Sequence, residues 1–321
     1  MNDKIENLLE ENRKFNPKTE LSQNANATSE WFDSANENRL EFWKKQALER
    51  ITWFKEPSEI LDDSNPPFFK WFKDGELNLS YNCLDRHLET DSDRVAFYWE
   101  GEPGDTQEIT YQDLYERVCR LSNALKKLNV KKGDRVAIYL GMTPEIVVAM
   151  LACARIGAVH SVVFGGFSSE ALADRINDAK AKLVITADGA WRRGDIVPLK
   201  DNVDGSLELT DYIDNVIVVK RTNQDIEMKQ GRDHWYHEIT EKEESVCEPE
   251  IMNAEDMLYI LYTSGTTAKP KGIVHTQAGY LTGVTTTHHE VFDIKDDDIY
   301  WCAADCGWVT GHSYICLLYT S

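Results

Sequence analysis

The chain has 321 residues, of which 42% are hydrophobic, and this is enough for a large core in one or two domains. Its formal charge of −20 argues against binding to nucleic acids or anionic membranes as a main activity, so an anionic substrate would need a locally basic pocket. The N-terminus lacks an apolar signal region and no apolar run reaches membrane-spanning length, so we expect a cytoplasmic protein.

The first 90 residues divide into two parts by composition. Residues 1–30 are polar and rich in Asn and Glu, which predicts a flexible lead-in. Residues 31–90 are dense in aromatic side chains, and we expect an N-terminal cap that packs these rings onto the main core rather than a surface that stacks ligands. The aromatic residues are Trp31, Phe32, Phe42, Trp43, Trp53, Phe54, Phe68, Phe69, Trp71, Phe72 and Tyr81.

From residue 105 onward, predicted helices and strands alternate. Thr110 and Asp113 suit a capping box, and apolar residues follow at helical spacing. A second helix has Thr143 as its expected cap, Pro144 at its first position and Gly157 after its end. The predicted strands are residues 135–140, 159–163 and 183–186, and the helices between them are residues 144–156 and 169–179. This alternation predicts an α/β fold with a parallel sheet that is covered by helices and joined by right-handed crossovers.

The charged stretch, the adjacent histidines and the cysteines elsewhere in the chain do not indicate a binding site. Residues 201–250 are charged and predict surface, apart from one strand at 216–219. The adjacent His288 and His289 lack a third ligand at useful spacing, so we expect no metal site there. The nearest two of seven cysteines, Cys302 and Cys306, flank a predicted strand-to-loop transition, and unpaired thiols are the expected state.

Residues 262–272 read YTSGTTAKPKG and place hydroxyls, glycines and lysines between strands predicted at 257–262 and 272–275. Gly265 lets the backbone approach an anion, and Pro270 favours an extended Lys269. The spacing is not that of a Walker A loop, and no helix opens directly at it. The stretch therefore predicts a different polyphosphate cradle, with a polar hairpin turn as the alternative. The predicted phosphate-binding residues are Thr263, Ser264, Gly265, Thr266, Thr267, Lys269, Lys271 and Gly272.

This loop resembles the phosphate-binding motif of adenylate-forming enzymes, a family of acyl-CoA ligases, luciferases and peptide-synthetase adenylation domains. Ala268 departs from the motif, because glycine is usual there and alanine requires a negative φ. Four further segments resemble those of AMP-forming acetyl-CoA synthetases, and the resemblance extends from residue 31 to residue 314. They are WFKDGELNLSYNCLDRH at 71–87, VVFGGFSSEAL at 162–172, ADGAWRRGDIVPLK at 187–200 and WCAADCGWVTGHSY at 301–314.

The resemblance implies a ligase that uses ATP, Mg²⁺ and CoA. Acetate would attack the α-phosphate to give acetyl-AMP and pyrophosphate, and CoA would then displace AMP to give acetyl-CoA. Thr266 and Lys271 would be catalytic, because they would stabilise the departing pyrophosphate. The alternatives are a propionate:CoA ligase, which differs mainly in pocket volume, and a non-catalytic nucleotide-binding fragment.

The resemblance also suggests residues for CoA and for the acyl group. The residues expected to bind CoA are Gly165, Arg192, Arg193, Gly194, Asp195 and Thr310. Arginine suits the CoA phosphates, whereas Asp195 stands where a basic residue is common and would repel them. Gly165 and Gly166 would let the backbone approach pantetheine, or simply form a strand-to-helix turn. Trp308, Val309 and Thr310 would form an acyl pocket that selects by size, with ordinary packing at a buried strand end as the alternative.

The resemblance further predicts how the chain is divided. It implies a large N-terminal domain with parallel sheets flanked by helices, without the small C-terminal domain. The family's N-terminal extension would cover residues 31–90, and an incomplete AMP-binding domain would cover residues 91–315. The adenine-orienting motif, the ribose-binding aspartate and the catalytic lysine would lie beyond the chain, so we expect the chain alone to be inactive. Residues 316–321 lose the resemblance and predict a non-native tail.

Overall fold

The N-terminal part of the chain forms helices where the sequence supplies caps. The computed structural model describes residues 13–263 and 269–317. The Thr28 side chain accepts a hydrogen bond from the Trp31 N–H, and the Asn38 side chain accepts one from the Glu41 N–H. A helix therefore begins directly after each cap. The first three helices are α1 (Thr19–Asn24), α2 (Ser29–Glu37) and α3 (Arg39–Arg50).

Asn26 ties this N-terminal part to the C-terminal part of the described chain. Its N–H donates to Asp293 Oδ1 (2.6 Å), and its side-chain amide donates to the His289 carbonyl (2.7 Å). Lys295 Nζ donates to the Asn24 carbonyl (2.7 Å). The end of the predicted lead-in is thus held by tertiary hydrogen bonds.

The aromatic cap packs onto the core through part of its rings. It contains the antiparallel pair β1 (Glu59–Asp62) and β2 (Lys70–Lys73). Phe72 lies in the main core, and Trp53 and Trp71 pack against it, as predicted. The prediction is wrong for Phe32 and Phe68, which are 57% and 72% exposed. Phe68 follows β1 in the loop before β2, and such loops run over the surface.

Two buried polar side chains join this cap to the domain that follows. Asn78 is fully buried, accepts from the Tyr81 N–H, and donates to the carbonyls of Ala154 (3.0 Å) and Glu250 (2.9 Å). Asp85 accepts two hydrogen bonds from the buried guanidinium of Arg155. The elements of this region are β3 (Glu76–Leu77), α4 (Leu79–Cys83), α5 (Asp85–Asp91), β4 (Val95–Glu100) and β5 (Thr106–Thr110).

The predicted alternation of helices and strands is confirmed. Thr110 and Asp113 form a complete capping box. Thr143 precedes a helix that starts at Pro144, but its side chain makes no capping bond, which corrects the prediction. The Ile146 N–H instead donates to the Thr143 carbonyl (3.1 Å). The elements are α6 (Tyr111–Lys127), β6 (Arg135–Ile138), α7 (Pro144–Arg155), β7 (Val159–Val162), α8 (Ser169–Ala179) and β8 (Leu183–Ala187).

The stretch from 190 to 253 is more structured than its charge predicts. Strand β12 and two helices accompany the predicted strand β11, so the surface assignment of residues 201–250 is wrong in part. Lys200 and Asp233 have fully buried side chains, with Nζ 3.0 Å from Oδ2. Pairing allows such charges to be buried. The elements are β9 (Ala190–Arg192), β10 (Asp195–Val197), α9 (Leu199–Leu207), β11 (Asn215–Val219), β12 (Asp233–Trp235), α10 (Tyr236–Thr240) and β13 (Met252–Asn253).

A seven-stranded sheet forms the centre of the described chain. Its order is β12-β11-β8-β6-β7-β14-β15, where β14 is Met257–Thr263 and β15 is Lys271–Thr276. Every neighbouring pair is parallel except β14 and β15, which form an antiparallel hairpin at one edge. Strands β7 and β8 are buried along their whole length, as strands covered by helices on both faces are. The predicted α/β class is therefore confirmed.

The chain after β15 is helical. Helix α11 (Gln277–Thr286) continues into a π-helical turn, Thr287–Val291, and α12 spans Val309–Leu317. The described residues 300–308 contain no strand, so the strand-to-loop transition predicted around Cys302 and Cys306 is wrong. A strand requires a neighbour to pair with, and β15 is the last strand at this edge of the sheet. No helix within the described ranges has both the length and the apolar character needed to cross a bilayer.

Candidate functional site

The predicted phosphate loop connects the two strands of the β14–β15 hairpin. Thr263 pairs with Lys271 and Tyr262 pairs with Gly272 in its register. Ser264, Gly265, Thr266, Thr267 and Ala268 lie outside the described residues. Since β14 is parallel to β7, Thr263 lies at the carboxyl end of the parallel strands, which is where open α/β sheets bind ligands. Thr263, Lys269 and Lys271 are exposed there.

Tyr262 joins the hairpin to α8. Its hydroxyl donates to Asp178 Oδ2 (2.8 Å), and the Arg175 guanidinium carbon lies 5.5 Å from its ring centroid. Burial, reinforced by Asp178, raises the pKa of Tyr262, so the hydroxyl keeps its proton. A Cβ at Gly272 would approach the Tyr262 ring to 3.2 Å. Gly272 therefore has a packing reason to be glycine in addition to its predicted role with phosphate.

The predicted CoA stretch forms a second, smaller hairpin from β9 and β10. Arg192 and Asp195 face each other across it, and Arg193 and Gly194 form the two-residue turn. Their φ values of 55° and 84° are those of a type I′ turn, which favours glycine at the second position. The Gly194 N–H donates to the Glu102 carboxylate. The structure therefore brings all four predicted residues together but leaves Arg193, Gly194 and Asp195 exposed at the tip.

Arg192 points back from this hairpin to the turn after β7. Its guanidinium carbon lies 4.5 Å from the Phe164 ring centroid, a cation–π geometry. A Cβ at Gly166 would come within 2.2 Å of Arg192 Nη1, so Gly166 leaves the space that the guanidinium uses. A Cβ at Gly165 would lie 3.2 Å from the Leu140 carbonyl oxygen. Phe164 belongs to the segment 162–172 that resembles the family, but the neighbouring sequence does not indicate that its ring packs against Arg192.

The predicted acyl residues lie at the start of α12. Trp308 and Val309 are about half exposed, at 52% and 50%, and Thr310 is exposed as well. The Trp308 ring centroid lies 6.4 Å from that of Phe164, and a Cβ at Gly307 would meet the Phe164 nitrogen at 2.9 Å. The predicted acyl segment and the predicted CoA hairpin therefore meet at Phe164. The buried strand end considered as an alternative is wrong, since this segment begins a helix.

A cleft of about 1990 Å³ opens beside these residues. Gly165, Arg192 and Phe164 contribute to its lining, together with Asp305 and Tyr314. Burial raises the pKa of Asp305, while the Gly307 N–H and Arg192 act in the opposite direction. The lining carries more carboxylates than cations, so it is not the locally basic pocket that an anionic substrate was expected to need. The carboxylates are Glu100, Glu102, Glu108, Asp296, Asp297, Asp298 and Asp305, and the cations are Arg94, Arg192, Arg221 and Lys295.

A buried pair of histidines, which the sequence did not indicate, lies next to the predicted acyl segment. His312 Nε2 lies 2.7 Å from His160 Nε2, and His312 Nδ1 lies 3.0 Å from the Tyr280 hydroxyl. Burial lowers the pKa of His160 to about 3, and it lowers that of His312 well below the usual value. Both rings are therefore neutral at physiological pH. The only sequence signal was an imidazole inside the apolar strand β7, because the partner lies 152 residues away.

Comparison with protein families identifies both parts of the chain. The family described as AMP-binding enzyme matches residues 84–321, and the family described as acetyl-coenzyme A synthetase N-terminus matches residues 23–83. The boundary between the two matches lies beside Asp85, whose carboxylate binds Arg155 of α7.

Several curated proteins are similar over nearly the whole chain. An acetyl-coenzyme A synthetase of Streptomyces avermitilis is 58% identical over 316 residues, which are 98% of this chain and 48% of that protein. Proteins of the same name from Pasteurella multocida and Campylobacter jejuni are 55% and 52% identical, over 96% and 94% of this chain. The matched residues make up 48% and 47% of the lengths of these two proteins. The chain thus spans about half the length of the curated relatives it matches.

Proposed function

The chain belongs to the AMP-binding enzyme family, and on this premise we propose that it is part of an AMP-forming acetate:CoA ligase. The acetate carboxylate attacks the α-phosphorus of ATP, which releases pyrophosphate and leaves acetyl-AMP. The CoA sulfur then attacks the acetyl carbonyl carbon, and the acyl–phosphate bond breaks to release AMP. The observation that carries the proposal is the 58% identity to an acetyl-coenzyme A synthetase across 98% of the chain.

The β14–β15 hairpin supplies the phosphate site in this proposal. Lys271 and Lys269 bring positive charge to the carboxyl end of the sheet, and Thr263 adds a hydroxyl. Thr266 and Lys271 stabilise the charge that develops on departing pyrophosphate, together with Ser264, Gly265 and Thr267. Because the cleft is rich in carboxylates, this loop has to supply much of the attraction for ATP.

Magnesium fits the proposal as a partner of the nucleotide. Among the described residues no group of three or more His, Cys, Asp or Glu side chains is arranged to hold a metal ion. Mg²⁺ commonly keeps several waters and binds substrate phosphates with few protein ligands. It would therefore arrive with ATP and offset part of the phosphate charge.

Arg192 is the proposed contact for a CoA phosphate. Its guanidinium is held between the Phe164 ring and the space left by Gly166, which orients it before CoA arrives. Arg193, Gly194 and Asp195 form the exposed tip of the same hairpin, and Gly165 contributes to the lining of the cleft. Glu102 already binds the Gly194 N–H, so that donor is occupied before CoA binds.

Trp308, Val309 and Thr310 are proposed to recognise the acetyl group at the start of α12. A wall built from an indole and a β-branched side chain excludes longer acyl groups by size. Thr310 also borders the path of the incoming thiol. The half-exposed state of Val309 in the described chain means that further atoms must cover it to complete a pocket.

The proposed partners and location follow from the substrates and from the charge of the chain. Small molecules, namely acetate, ATP and CoA, are the expected partners, and the charge of −20 makes nucleic acid or an anionic membrane an unsuitable one. Cytoplasmic location is the corresponding proposal for a ligase that consumes ATP.

The test uses a completed enzyme, defined as this chain followed by the remaining part of the Streptomyces avermitilis relative. Acetate-dependent exchange of pyrophosphate into ATP should be observed, followed by acetyl-CoA formation when CoA is added. Faster exchange with propionate than with acetate would identify propionate as the preferred substrate. Nucleotide binding without exchange for any short carboxylate would favour a non-catalytic fragment. The chain alone should give no acetyl-CoA above a Lys271→Ala control.

A further inference from the structure

His160 and His312 meet edge to edge in the interior. Their Nε2 atoms are 2.7 Å apart and the ring planes differ by 12°, with centroids 5.0 Å apart, so the rings are nearly coplanar along one N–H···N bond. His160 is 1% exposed and His312 is fully buried. A bond of this kind requires one ring to donate and the other to accept, and burial keeps both rings uncharged.

Tyr280 and the second nitrogen of His160 decide the direction of this bond. If Tyr280 donated to His312 Nδ1, His312 would donate to His160 and leave a buried His160 Nδ1–H without a partner among the described residues. In the reverse arrangement His160 donates through Nε2, and His312 donates through Nδ1 to the Tyr280 oxygen. His160 Nδ1 is then an acceptor without a hydrogen-bond partner among the described residues, and the Tyr280 hydroxyl directs its proton away from His312. An orphaned acceptor is tolerated better than an orphaned donor. The geometry therefore favours the Nε2–H form of His160 and the Nδ1–H form of His312.

The pair connects the two halves of the proposed site. His312 follows Val309 by one helical turn, and it is the buried side chain among those described in α12. Its ring lies 3.9 Å from that of Tyr259 on β14, centroid to centroid, and Tyr259 stacks on His275 of β15 at 4.5 Å. These two strands carry the phosphate loop.

We propose that His312 and His160 form a positioning pair, which holds the first turn of α12 at a fixed place relative to the β14–β15 hairpin. Resting on the proposed function, the pair sets where Val309 and Thr310 meet the acyl group while the hairpin holds the phosphates. A hydrogen bond defines the ring orientation more narrowly than apolar packing does. Both histidines are buried, so the proposed role is to position other side chains.

The bond itself is tested in this chain, without substrate. Histidine-selective ¹⁵N labelling and long-range ¹H–¹⁵N correlation report the tautomer of each of the eight histidines, with assignment by His160→Gln and His312→Gln. We expect His160 as the Nε2–H form and His312 as the Nδ1–H form, both unchanged between about pH 5 and pH 8. Protonation of either ring in this range, or the same tautomer in both, would overturn the proposal.

The positioning role is tested in the completed enzyme with a graded pair of variants. His312→Gln places an amide oxygen where it can still accept from His160, whereas His312→Leu fills a similar volume without a hydrogen bond. The KM for acetate should rise about tenfold in the Leu variant and about threefold in the Gln variant, with the KM for MgATP within about twofold of the parent. His234→Gln is the control, because His234 bonds Asn215 at the opposite edge of the sheet.

The outcomes separate positioning from packing and from failure of the proposed function. Two results would show that His312 only packs the core. In the first, the Leu variant has the same KM for acetate as the parent. In the second, its KM values for acetate and MgATP rise together, and kcat and the melting temperature both fall. An unaltered completed enzyme without acetate-dependent exchange would refute the proposed function instead. The tautomers measured in this chain would then still test whether His160 and His312 are hydrogen-bonded.

Discussion

The substitution Asp85→Ala should lower the free energy of unfolding by about 3 to 5 kcal/mol, because it leaves a buried guanidinium without its counter-ion. Arg155 donates to both Asp85 oxygens, Nη1 to Oδ2 at 2.7 Å and Nη2 to Oδ1 at 2.8 Å, and its side chain is 1% exposed. After the change, Arg155 keeps its bond to the Cys247 carbonyl and its place 5.1 Å from the Tyr115 ring centroid. The 16% exposure of the Asp85 side chain lets some water reach the cation, which places the expected loss near the lower value.

Urea denaturation of this chain, followed by tryptophan fluorescence, measures the effect. Glu49→Ala is the matched control, since the Lys45–Glu49 pair is 3.9 Å apart and more than half exposed, so its loss should cost less than about 0.5 kcal/mol. A second comparison removes both charges. The double variant Asp85→Leu/Arg155→Met should be more stable than Asp85→Leu alone by about 1 kcal/mol or more, because no unpaired charge remains. Equal effects of Asp85→Ala and Glu49→Ala would refute the reasoning, as would a double variant no better than the single one.

Three further predictions concern the completed enzyme. Lys271→Ala should slow acetate-dependent ATP/pyrophosphate exchange by about 10- to 150-fold, since a charge-assisted contact to pyrophosphate is lost, and unchanged exchange would remove Lys271 from the mechanism. Arg192→Ala should raise the KM for CoA about tenfold and leave the exchange reaction intact, whereas Asp195→Lys should lower that KM, most clearly at low salt. Equal losses in both half-reactions would give Arg192 a structural role. Val309→Ala should shift exchange towards propionate or butyrate by about tenfold, and a full retained advantage for acetate would show that Val309 is not the wall.

Several strands, caps and helices were predictable because their signals are local. The apolar runs on both sides of the loop predicted two strands, and the structure has β14 and β15 there. The capping box at Thr110 and the helix at residues 169–179 also follow from neighbouring residues alone. These features need no information from distant parts of the chain.

The associations between the loops of the candidate site were decided by tertiary structure. The Arg192 guanidinium packs on the Phe164 ring, and a side chain at Gly166 would occupy the space that this guanidinium fills. The Asp233 side chain is buried because it pairs with the buried Lys200 ammonium group, although residues 201–250 were predicted to be surface.

The sequence by itself determined the α/β class, the order of most elements and the family, because hydrophobic period, caps and motifs are properties of short segments. It could not determine that residues 300–308 lack a strand, since strand formation depends on a partner elsewhere. Nor could it determine the bond between His160 and His312, whose two residues are 152 positions apart. Whether two such side chains meet depends on how the sheet and helices pack, so the partners are set by three-dimensional distance.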